Sequence, residues 1–517
     1  MPTGNTTLTN TNSSEEKGSP TLPTRHRVYW SVETSYAPQL LALTLAMSLV
    51  VSGCAVGPNY KRPAVNAPTD YRGAQVAAQQ ASFADMPWWE VFKDERLKEL
   101  VQTALANNYD LRVAVTRIEQ SRQVALQARA QYFPFVNYSV SSSDGKNEFV
   151  GTVAPNGGNT RGAFLAAASV AWEADVWGKL RRLNESARAQ YLATEEARRG
   201  VMLTLVSDVA QNYFLILGLE LQLDIAKQTT NSYTETLNLF TQRLEGGVAS
   251  KLETSRAAAY LATAAATIPE IEREIALAED QLSVLLGNNP GEIAHTAKLL
   301  DEIVPPEVPA GLPSALLERR PDVLQAEQLL RSANAQVGVA QANFFPQIGL
   351  TALLGRASTP LSALSSGQTN VWSIAGSVAG PIFQGGALKA QKRQAVAFWE
   401  QSKLQYEQTA LNAFQDVSDA LISRQKYDAI REKQSEAVQA SQEAVKVSLQ
   451  RFVAGKSSYY EVLEAQQQLF PDQVELAQTE LNRRTVIVQL YKALGGGWNL
   501  KDPDWVGPKS QPSSGTP

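Results

Sequence analysis

Two kinds of hydrophobic pattern alternate along this chain: long runs with helical spacing and short runs of period two. Residues 110–131 are strong helix formers without Gly or Pro, and residues 322–343 nearly repeat that composition. Each run ends at an aromatic pair followed by a proline, Pro134 or Pro346, which cannot continue a helix. The pattern therefore predicts two similar helices that stop at the same kind of turn.

Beyond each proline the pattern changes to period two, which is typical of a strand with two different faces. Apolar and polar residues alternate over 136–141, and residues 347–352 repeat the alternation. Second strands are predicted at Phe164–Trp172 and Trp372–Gly380, after loops of turn residues. Each half of the chain therefore offers one β-hairpin.

The four predicted strands fit either of two environments. Strands of roughly ten residues match a tilted membrane strand, with lipid on one face and water on the other. The alternation also suits a soluble sheet with one face on a core. In a membrane, four strands cannot close a barrel, and open edges would leave backbone groups unpaired in lipid. Two, three or four chains would then combine to give eight, twelve or sixteen strands.

The longest helical patterns cover residues 179–244 and 387–452, on the order of 100 Å each at 1.5 Å per residue. Over residues 219–244, apolar residues recur in steps of four and three, which is the spacing of a coiled-coil seam. Shorter return helices are predicted at 250–286 and 457–494. We expect each return helix to stack end to end with one of the two short helices, so that the stacked pair matches the neighbouring long helix in length.

The chain contains this arrangement twice. Residues of the first half from 178 onward recur 208 positions later in the second half, whereas residues upstream of the strands recur 212 positions later. The first copy therefore has four extra residues, which lie between 135 and 177. The matched pairs include Gly178 and Gly386, Asp208 and Asp416, Arg243 and Arg451, Gly247 and Gly455, Glu253 and Glu461, and Asp110 and Asp322. The sequence therefore predicts a tandem duplication with one structural unit per half.

Composition excludes several functions. The 47 basic and 51 acidic residues give a net charge of -4, which does not favour a nucleic-acid partner. One cysteine and two histidines exclude an intrachain disulfide and a histidine-rich metal site. The segment Ser143–Lys146 matches Ser-x-x-Lys, but it falls in a predicted surface turn. The sequence therefore disfavours an enzyme and predicts no metal and no dissociable cofactor.

The N-terminal region has the layout of an export signal. Basic residues at 25–27 precede an apolar run at 40–51 that is too short to span a bilayer, and small residues follow before Cys54. This segment resembles the lipobox of bacterial lipoproteins, which implies a covalent lipid such as palmitate on Cys54. Ala55 stands where an aspartate would signal inner-membrane retention, so outer-membrane sorting is implied. An uncleaved anchor is the alternative.

Three motifs resemble the lipid-anchored outer membrane factors related to TolC and OprM, of the NodT efflux type, over about residues 54–500. They are Cys54-x-x-Gly57-Pro58-x-Tyr60-x-x-Pro63, Pro87-Trp88-Trp89-Glu90-x-Phe92 and Leu316-Leu317-x-Arg319-Arg320-Pro321-Asp322. The resemblance implies an α+β membrane protein, in which the tandem repeat forms a long α-helical coiled-coil barrel. It also implies that four strands per chain enter a trimeric, twelve-stranded outer-membrane β-barrel.

On this basis we divide the chain into five parts. They are a signal peptide with an N-terminal extension (1–53), a lipid-anchored extended segment (54–92), a first repeat of helices and hairpin (93–300), a second repeat (301–498) and a tail predicted to be disordered (499–517).

The resemblance also implies roles for residues near the turns that follow the longest helices. The periplasmic gate would comprise Glu253, Glu461, Glu464 and Phe452, the last standing where TolC has a gate tyrosine. The tip that contacts the periplasmic adaptor would comprise Gly247, Ala249, Gly455 and Lys456. From the residues alone, an ordinary solvated helix face is the favoured interpretation of the three glutamates, and only the resemblance favours a gate.

We therefore predict the outer-membrane channel of a tripartite efflux system, a passive exit duct for drugs or other small compounds. It would lie in the outer membrane of a Gram-negative bacterium, lipid-anchored and extending into the periplasm. The implied partners are two further copies of the chain, outer-membrane lipid, a periplasmic adaptor and an inner-membrane transporter of the RND type. The alternatives are a non-channel coiled-coil lipoprotein that spaces the envelope and the exit duct of a type I protein secretion system.

Overall fold

The computed structural model describes residues 55–74, 94–143, 163–295, 297–301, 310–358, 361–365 and 370–496. The predicted signal peptide, Cys54, the Trp88–Trp89 motif and the tail from residue 499 lie outside the described residues.

Helices and strands follow one another in the same order in both halves. The helices are α1 (Glu95–Asn107), α2 (Tyr109–Ala130), α3 (Lys179–Glu245), α4 (Lys251–Leu285), α5 (Pro313–Leu316), α6 (Pro321–Ala342), α7 (Ala387–Val453) and α8 (Tyr459–Ala493). The strands are β1 (Phe135–Ser143), β2 (Ala163–Ala174), β3 (Gln347–Ser358) and β4 (Asn370–Ala379).

The structure confirms the tandem duplication element by element. Helices α3 and α7 each contain 67 residues, α4 and α8 each contain 35, and α2 and α6 each contain 22. The long helices and the return helices recur 208 positions later, and α2 recurs 212 positions later. The predicted limits of the long helices differ from the observed ones by one residue.

Glycines with left-handed backbone conformations start both long helices. Gly178 precedes α3 with φ of 77°, and Gly386 precedes α7 with φ of 87°. A Cβ atom at Gly178 would also lie 2.6 Å from the Cα of Ala55. The backbone conformation and the close approach of the N-terminal segment therefore both favour glycine at this junction.

The predicted coiled-coil seam of α3 is buried at every second position. Leu219, Ala226, Tyr233 and Phe240 recur every seven residues, and each is at most 7% exposed. The Tyr233 hydroxyl donates a hydrogen bond to the carbonyl of Gln466 on α8 at 3.1 Å. The seam therefore joins the long helix of the first half to the return helix of the second.

The return helices end against the short helices, as predicted. The Asn108 side chain at the start of α2 donates to the carbonyl of Leu285 at the end of α4, at 3.0 Å. Arg320 at the start of α6 donates to the carbonyl of Ala493 at the end of α8, at 3.2 Å. In both halves two shorter helices are therefore joined end to end beside one long helix.

The four strands form one antiparallel sheet in the order β1-β2-β3-β4. Phe135 lies opposite Ala171 in the first hairpin, and Gln347 lies opposite Ala379 in the second. Both hairpins therefore have equivalent register, and the four extra residues of the first copy lie between β1 and β2.

One face of the sheet is apolar and exposed. Its residues include Val136, Tyr138 and Val140 on β1 and Trp372, Ile374 and Val378 on β4, all more than 70% exposed. Serines occupy the other face of both edge strands. A soluble sheet would cover its apolar face with a core, so this arrangement favours the membrane interpretation.

Among the described helices, only α3 contains a stretch that is apolar and long enough to cross a membrane. Within that stretch 67% of the residues are buried inside the chain. Its apolar character is therefore explained by the helical core.

The segment 55–74 forms a strap without regular secondary structure across both halves. Arg62 donates to the Tyr406 hydroxyl on α7 at 3.2 Å and pairs with Glu327 on α6, also at 3.2 Å. Nearer the sheet, the Val56 amide donates to the carbonyl of Trp177 at 3.0 Å. The strap therefore fixes the residues that follow Cys54 beside the junction of sheet and helices.

Candidate functional site

Each long helix passes into its return helix through a short glycine turn. Gly247 has φ of 74° and Gly455 has φ of 69°. The amide of Val248 donates to the carbonyl of Arg243 at 2.9 Å, and the second turn has the equivalent bond between Lys456 and Arg451 at 2.8 Å. These bonds satisfy carbonyls at the helix ends, and the left-handed glycine makes them possible.

The two return helices start differently. Ser250 and Glu253 form a reciprocal capping box, in which the Glu253 carboxylate accepts from the Ser250 amide at 2.6 Å. Ser458, the counterpart of Ser250, forms no side-chain cap with any described residue. Both turns have the Ser-x-x-Glu spacing of a capping box, and only the first turn forms one. Glu253, predicted as a gate residue, therefore also caps α4.

Glu461, the counterpart of Glu253, has a different partner. Its carboxylate lies 3.5 Å from the Arg451 guanidinium, and both side chains are about half exposed, at 45% and 53%. Glu464 is exposed one turn further along α8. The ion pair links the end of α7 to the start of α8, and the gate role predicted for both glutamates stays a prediction.

An aromatic cluster holds the two turns together. Phe240 lies 3.7 Å from Tyr459 and 5.2 Å from Phe452, measured between ring centroids. The Arg243 guanidinium lies over the Phe452 ring at 4.5 Å. Phe452 is therefore a buried packing residue between the long helices.

Tyr459 is the polar member of this cluster. Its hydroxyl is buried and has no hydrogen-bond partner among the described residues. Burial, followed by the nearby Tyr260 and the charge of Glu253, raises the pKa of this hydroxyl. The cluster therefore encloses a neutral phenol whose hydroxyl makes no hydrogen bond to the described residues.

Apolar side chains project from the turns. Val248, Leu252, Val453 and Tyr460 are between 60% and 69% exposed. No described atom lies within 4 Å of a Cβ placed on Gly247 or Gly455. The predicted adaptor-contacting residues therefore belong to one open, partly apolar surface, which we call the tip surface (residues 246–252, 453–458 and 460).

Sequence reasoning identified the turns and missed the contacts that hold them together. In the sequence, Arg451 was identifiable only as one of the residues matched between the two copies, and Phe240 only as a position in the coiled-coil seam. Their partners, Glu461 and Phe452, lie on neighbouring helices, and sequence spacing alone does not determine contacts across a helical hairpin.

A second site lies at the junction of sheet and helices. The Trp177 ring stacks on Phe345 with centroids 4.7 Å apart, and its Nε1 donates to the carbonyl of Pro346 at 2.7 Å. Aromatic residues concentrate at the interfaces of membranes. Ala55, the first described residue, lies beside Gly178 at the same level.

Comparison with known proteins identifies relatives over nearly the whole chain. The family model described as outer membrane efflux protein matches residues 100–288 and 312–496. These two segments correspond to the two halves of the duplication.

Named relatives share the same coverage. The chain is 35% identical to the probable efflux pump outer membrane protein TtgC of Pseudomonas putida over 465 residues, covering 88% of this chain and 95% of TtgC. It is 33% identical to the cation efflux system protein CusC of Escherichia coli over 463 residues, covering 88% of this chain and 98% of CusC. The open state of the MtrE outer membrane channel of Neisseria gonorrhoeae superposes with a TM-score of 0.77 at 29% identity, covering 86% and 98% of the two chains.

Proposed function

The chain belongs to the outer membrane efflux protein family, and we propose that it receives small compounds from an RND-type transporter of the inner membrane through a periplasmic adaptor. It is an outer-membrane channel of a tripartite efflux system in a Gram-negative bacterium, and its fold is that of trimeric channel-tunnels. The observation that carries the proposal is the tip surface, which the 67-residue helices α3 and α7 separate from the sheet.

The tip surface suits an adaptor because it combines open turns with exposed apolar side chains. Its glycine turns leave space for a partner backbone to approach closely. Its apolar side chains, among them Val248 and Tyr460, supply area that becomes buried on contact. We propose that a helical hairpin of the adaptor packs against the exposed side of the two turns.

Site-specific crosslinking tests this orientation. A photoreactive residue at Ala249 or Lys456, introduced in the native host, should capture a periplasmic protein that mass spectrometry identifies as an adaptor. The same residue at Tyr138 or Val140, on the apolar face of β1, is the matched control. Capture of the adaptor from β1 and never from the turns would overturn the proposal.

We also propose that Cys54 carries the covalent lipid. Support comes from its neighbour Ala55, which lies against Gly178, and from the Val56 bond to Trp177 at the end of the sheet. An acyl group attached one residue before Ala55 would enter the membrane beside the aromatic residues of the junction.

Intact mass spectrometry of the purified protein tests this proposal. The expected mass is that of a chain starting at Cys54 with acyl groups attached. Cys54→Ala, exported through an unrelated signal, should lack the added mass and still assemble. A mature N-terminus at Cys54 without acyl mass would refute it.

A further inference from the structure

The lipid-facing side of the sheet contains a single charged residue. In all four strands the even-numbered residues share this side, because opposed residues are both even or both odd, as Leu354 and Trp372 are. Among these described positions only Arg356, on β3, carries a charge. The other charged residue of the strands, Glu173, belongs to the polar side. A charge on the lipid-facing side is costly unless it has a polar partner.

Rows of residues across the sheet locate Arg356 relative to the apolar band. Tyr138, Leu354 and Trp372 lie in one row, and the two aromatic residues at its ends are 88% and 73% exposed. Tyr and Trp concentrate where the apolar interior of a membrane meets the headgroups. The next row, on the side away from the helices, contains Arg356 and Asn370 as neighbours. Arg356 therefore lies one row beyond an aromatic belt.

The height of Arg356 on β3 agrees with the membrane boundary. The apolar side begins near the helices at Ile348, whose opposed residue Val378 is 71% exposed. From Ile348 to Arg356 the strand rises roughly 26 Å at about 3.3 Å per residue, or about 20 Å along the membrane normal at a tilt of about 40°. The apolar band of an outer-membrane barrel is about 25 Å tall. Because the helices extend into the periplasm, Arg356 lies at the boundary with the headgroups of the outer leaflet.

The Arg356 side chain reaches away from the membrane centre. Its Nη1 donates to the carbonyls of Leu364 and Ser365, at 3.1 Å and 3.2 Å, and both residues lie beyond the end of β3 at Ser358. A basic side chain at the edge of an apolar region places its charge on the wet side in this way. Among the described residues, no carboxylate pairs with this exposed guanidinium, and none accepts from its Nε or Nη2. The guanidinium is therefore held in place while donors on two of its nitrogens are free for a ligand.

A phosphate is the ligand that this arrangement suits. Guanidinium donors form a planar fork that binds two phosphate oxygens at once. In the outer leaflet of a Gram-negative outer membrane, the phosphates of the glycolipid lie at the headgroup boundary. We propose that Arg356, with the Asn370 amide beside it, binds a phosphate of a phosphorylated glycolipid of the outer leaflet. A trimer presents three such sites.

The neighbouring rows suit the acyl chains of the same lipid. Leu354, Trp372 and Ile374 lie on the membrane side of Arg356 and are between 68% and 79% exposed. These side chains can contact the acyl chains of any lipid, whereas only a phosphate gains from the guanidinium. A phospholipid of the inner leaflet has its phosphate at the other end of the band, where no described lipid-facing residue carries a charge. The position of Arg356 therefore favours the glycolipid.

Native mass spectrometry of the purified full-length channel in a non-ionic detergent tests the proposal. Titration with bisphosphorylated lipid A should give complexes with up to three lipids per trimer. Arg356→Gln should weaken this binding about tenfold, because it removes charge-assisted hydrogen bonds to the phosphate. Arg356→Lys keeps the charge without the planar fork and should give an intermediate affinity.

Two controls separate the phosphate contact from general lipid binding. Lipid A from which both phosphates have been removed should bind the wild type and Arg356→Gln equally. Arg117→Gln removes an exposed arginine of α2, in the helical part, and should leave lipid A binding unchanged. The trimer mass in the same spectra shows that each variant assembles, so a folding defect is not mistaken for lost binding.

Equal lipid A affinity of Arg356→Gln and the wild type would overturn the proposal. An equal loss for the dephosphorylated lipid would also overturn it, because the arginine would then act on the packing of the sheet. Tighter binding of phosphatidylglycerol than of lipid A would reject the glycolipid as the occupant, and displacement of lipid A by inorganic phosphate would reduce the site to an adventitious ion only. The measurement needs no adaptor or transporter, so its outcome is independent of the proposed export route.

Discussion

Glu253 and Glu461 occupy equivalent positions, and their environments determine different roles. Glu253 is committed to the cap of α4, whereas Glu461 makes a half-exposed ion pair with Arg451. An exposed pair of this kind contributes at most about 1 kcal/mol. Of the two glutamates, Glu461 is therefore the one that can change partners at low cost, and Glu464 is exposed beside it.

We predict that Glu461→Ala with Glu464→Ala weakens cation preference and block by a trivalent cation without reducing the amount of folded trimer. Three chains bring six such carboxylates to one end of the channel, where confinement strengthens their attraction for cations. Single-channel recording with the trivalent ion on the periplasmic side measures the effect. Glu475→Ala, which removes an exposed carboxylate further along α8, is the control, and unchanged selectivity in the double variant would contradict the prediction.

Glu480 on α8 is a buried carboxylate among arginines. Arg431, Arg483 and Arg484 lie within 3.0 Å of it, and the residue is 5% exposed. Burial opposes its ionisation, but hydrogen bonds from Arg431 and Arg484 outweigh burial and hold the pKa of Glu480 below its ordinary value. Ionised Glu480 therefore stabilises the fold, because it compensates buried positive charge.

The direction of the Glu480 pKa shift determines how the stability of the fold depends on pH. A depressed pKa means that the stabilisation is complete above the unfolded value of about 4.3 and is lost as pH falls through the folded value. Glu480→Gln should cost about 3–5 kcal/mol at neutral pH and flatten the acid dependence below pH of about 4. Thermal unfolding followed by circular dichroism measures both effects, with the exposed Glu475→Gln as control. Equal acid dependence in both variants would contradict this account.

Among the elements, the helices and strands were predictable and their junctions were not. Long periodic patterns fixed α3 and α7 within one residue, because seam positions such as Ala226 and Phe240 must be buried. The contacts where a return helix meets a short helix depend on single residues that differ between the two copies. Asn108 and Arg320 join equivalent helix ends, yet only Arg320 bridges two carboxylates, Asp322 and Asp416.

The return helix α4 has a side-chain cap at its start and α8 does not, and this difference can be measured. Ser250→Ala removes a capping box and should cost about 1 kcal/mol locally, or roughly fivefold faster amide exchange in the first turn of α4. Ser458→Ala should change exchange at the start of α8 much less, because Ser458 makes no side-chain cap with the described residues. Hydrogen exchange with mass spectrometry compares the two. Equal acceleration would show that the caps are equivalent.

For the whole molecule, the sequence predicted that membrane strands with open edges require several chains, and the family resemblance implied that three chains assemble. The described structure adds how the halves meet, which no pattern in one strand could specify. Contacts such as Ser186 with Ser332 join positions far apart in the chain, and only the folded arrangement reveals them. The predicted function depended on the family motifs, because the residues alone left the spacer protein as an alternative.

The strap has a consequence for the order of biosynthesis. Arg62 leaves the ribosome early, but its partner Tyr406 lies 344 positions later and completes the contact only when most of the chain has been made. Closing so long a loop is slow compared with forming the helical hairpins. The strap is therefore synthesised well before its contact on α7 can form, and we predict that residue 54 stays accessible to a modifying enzyme during that interval.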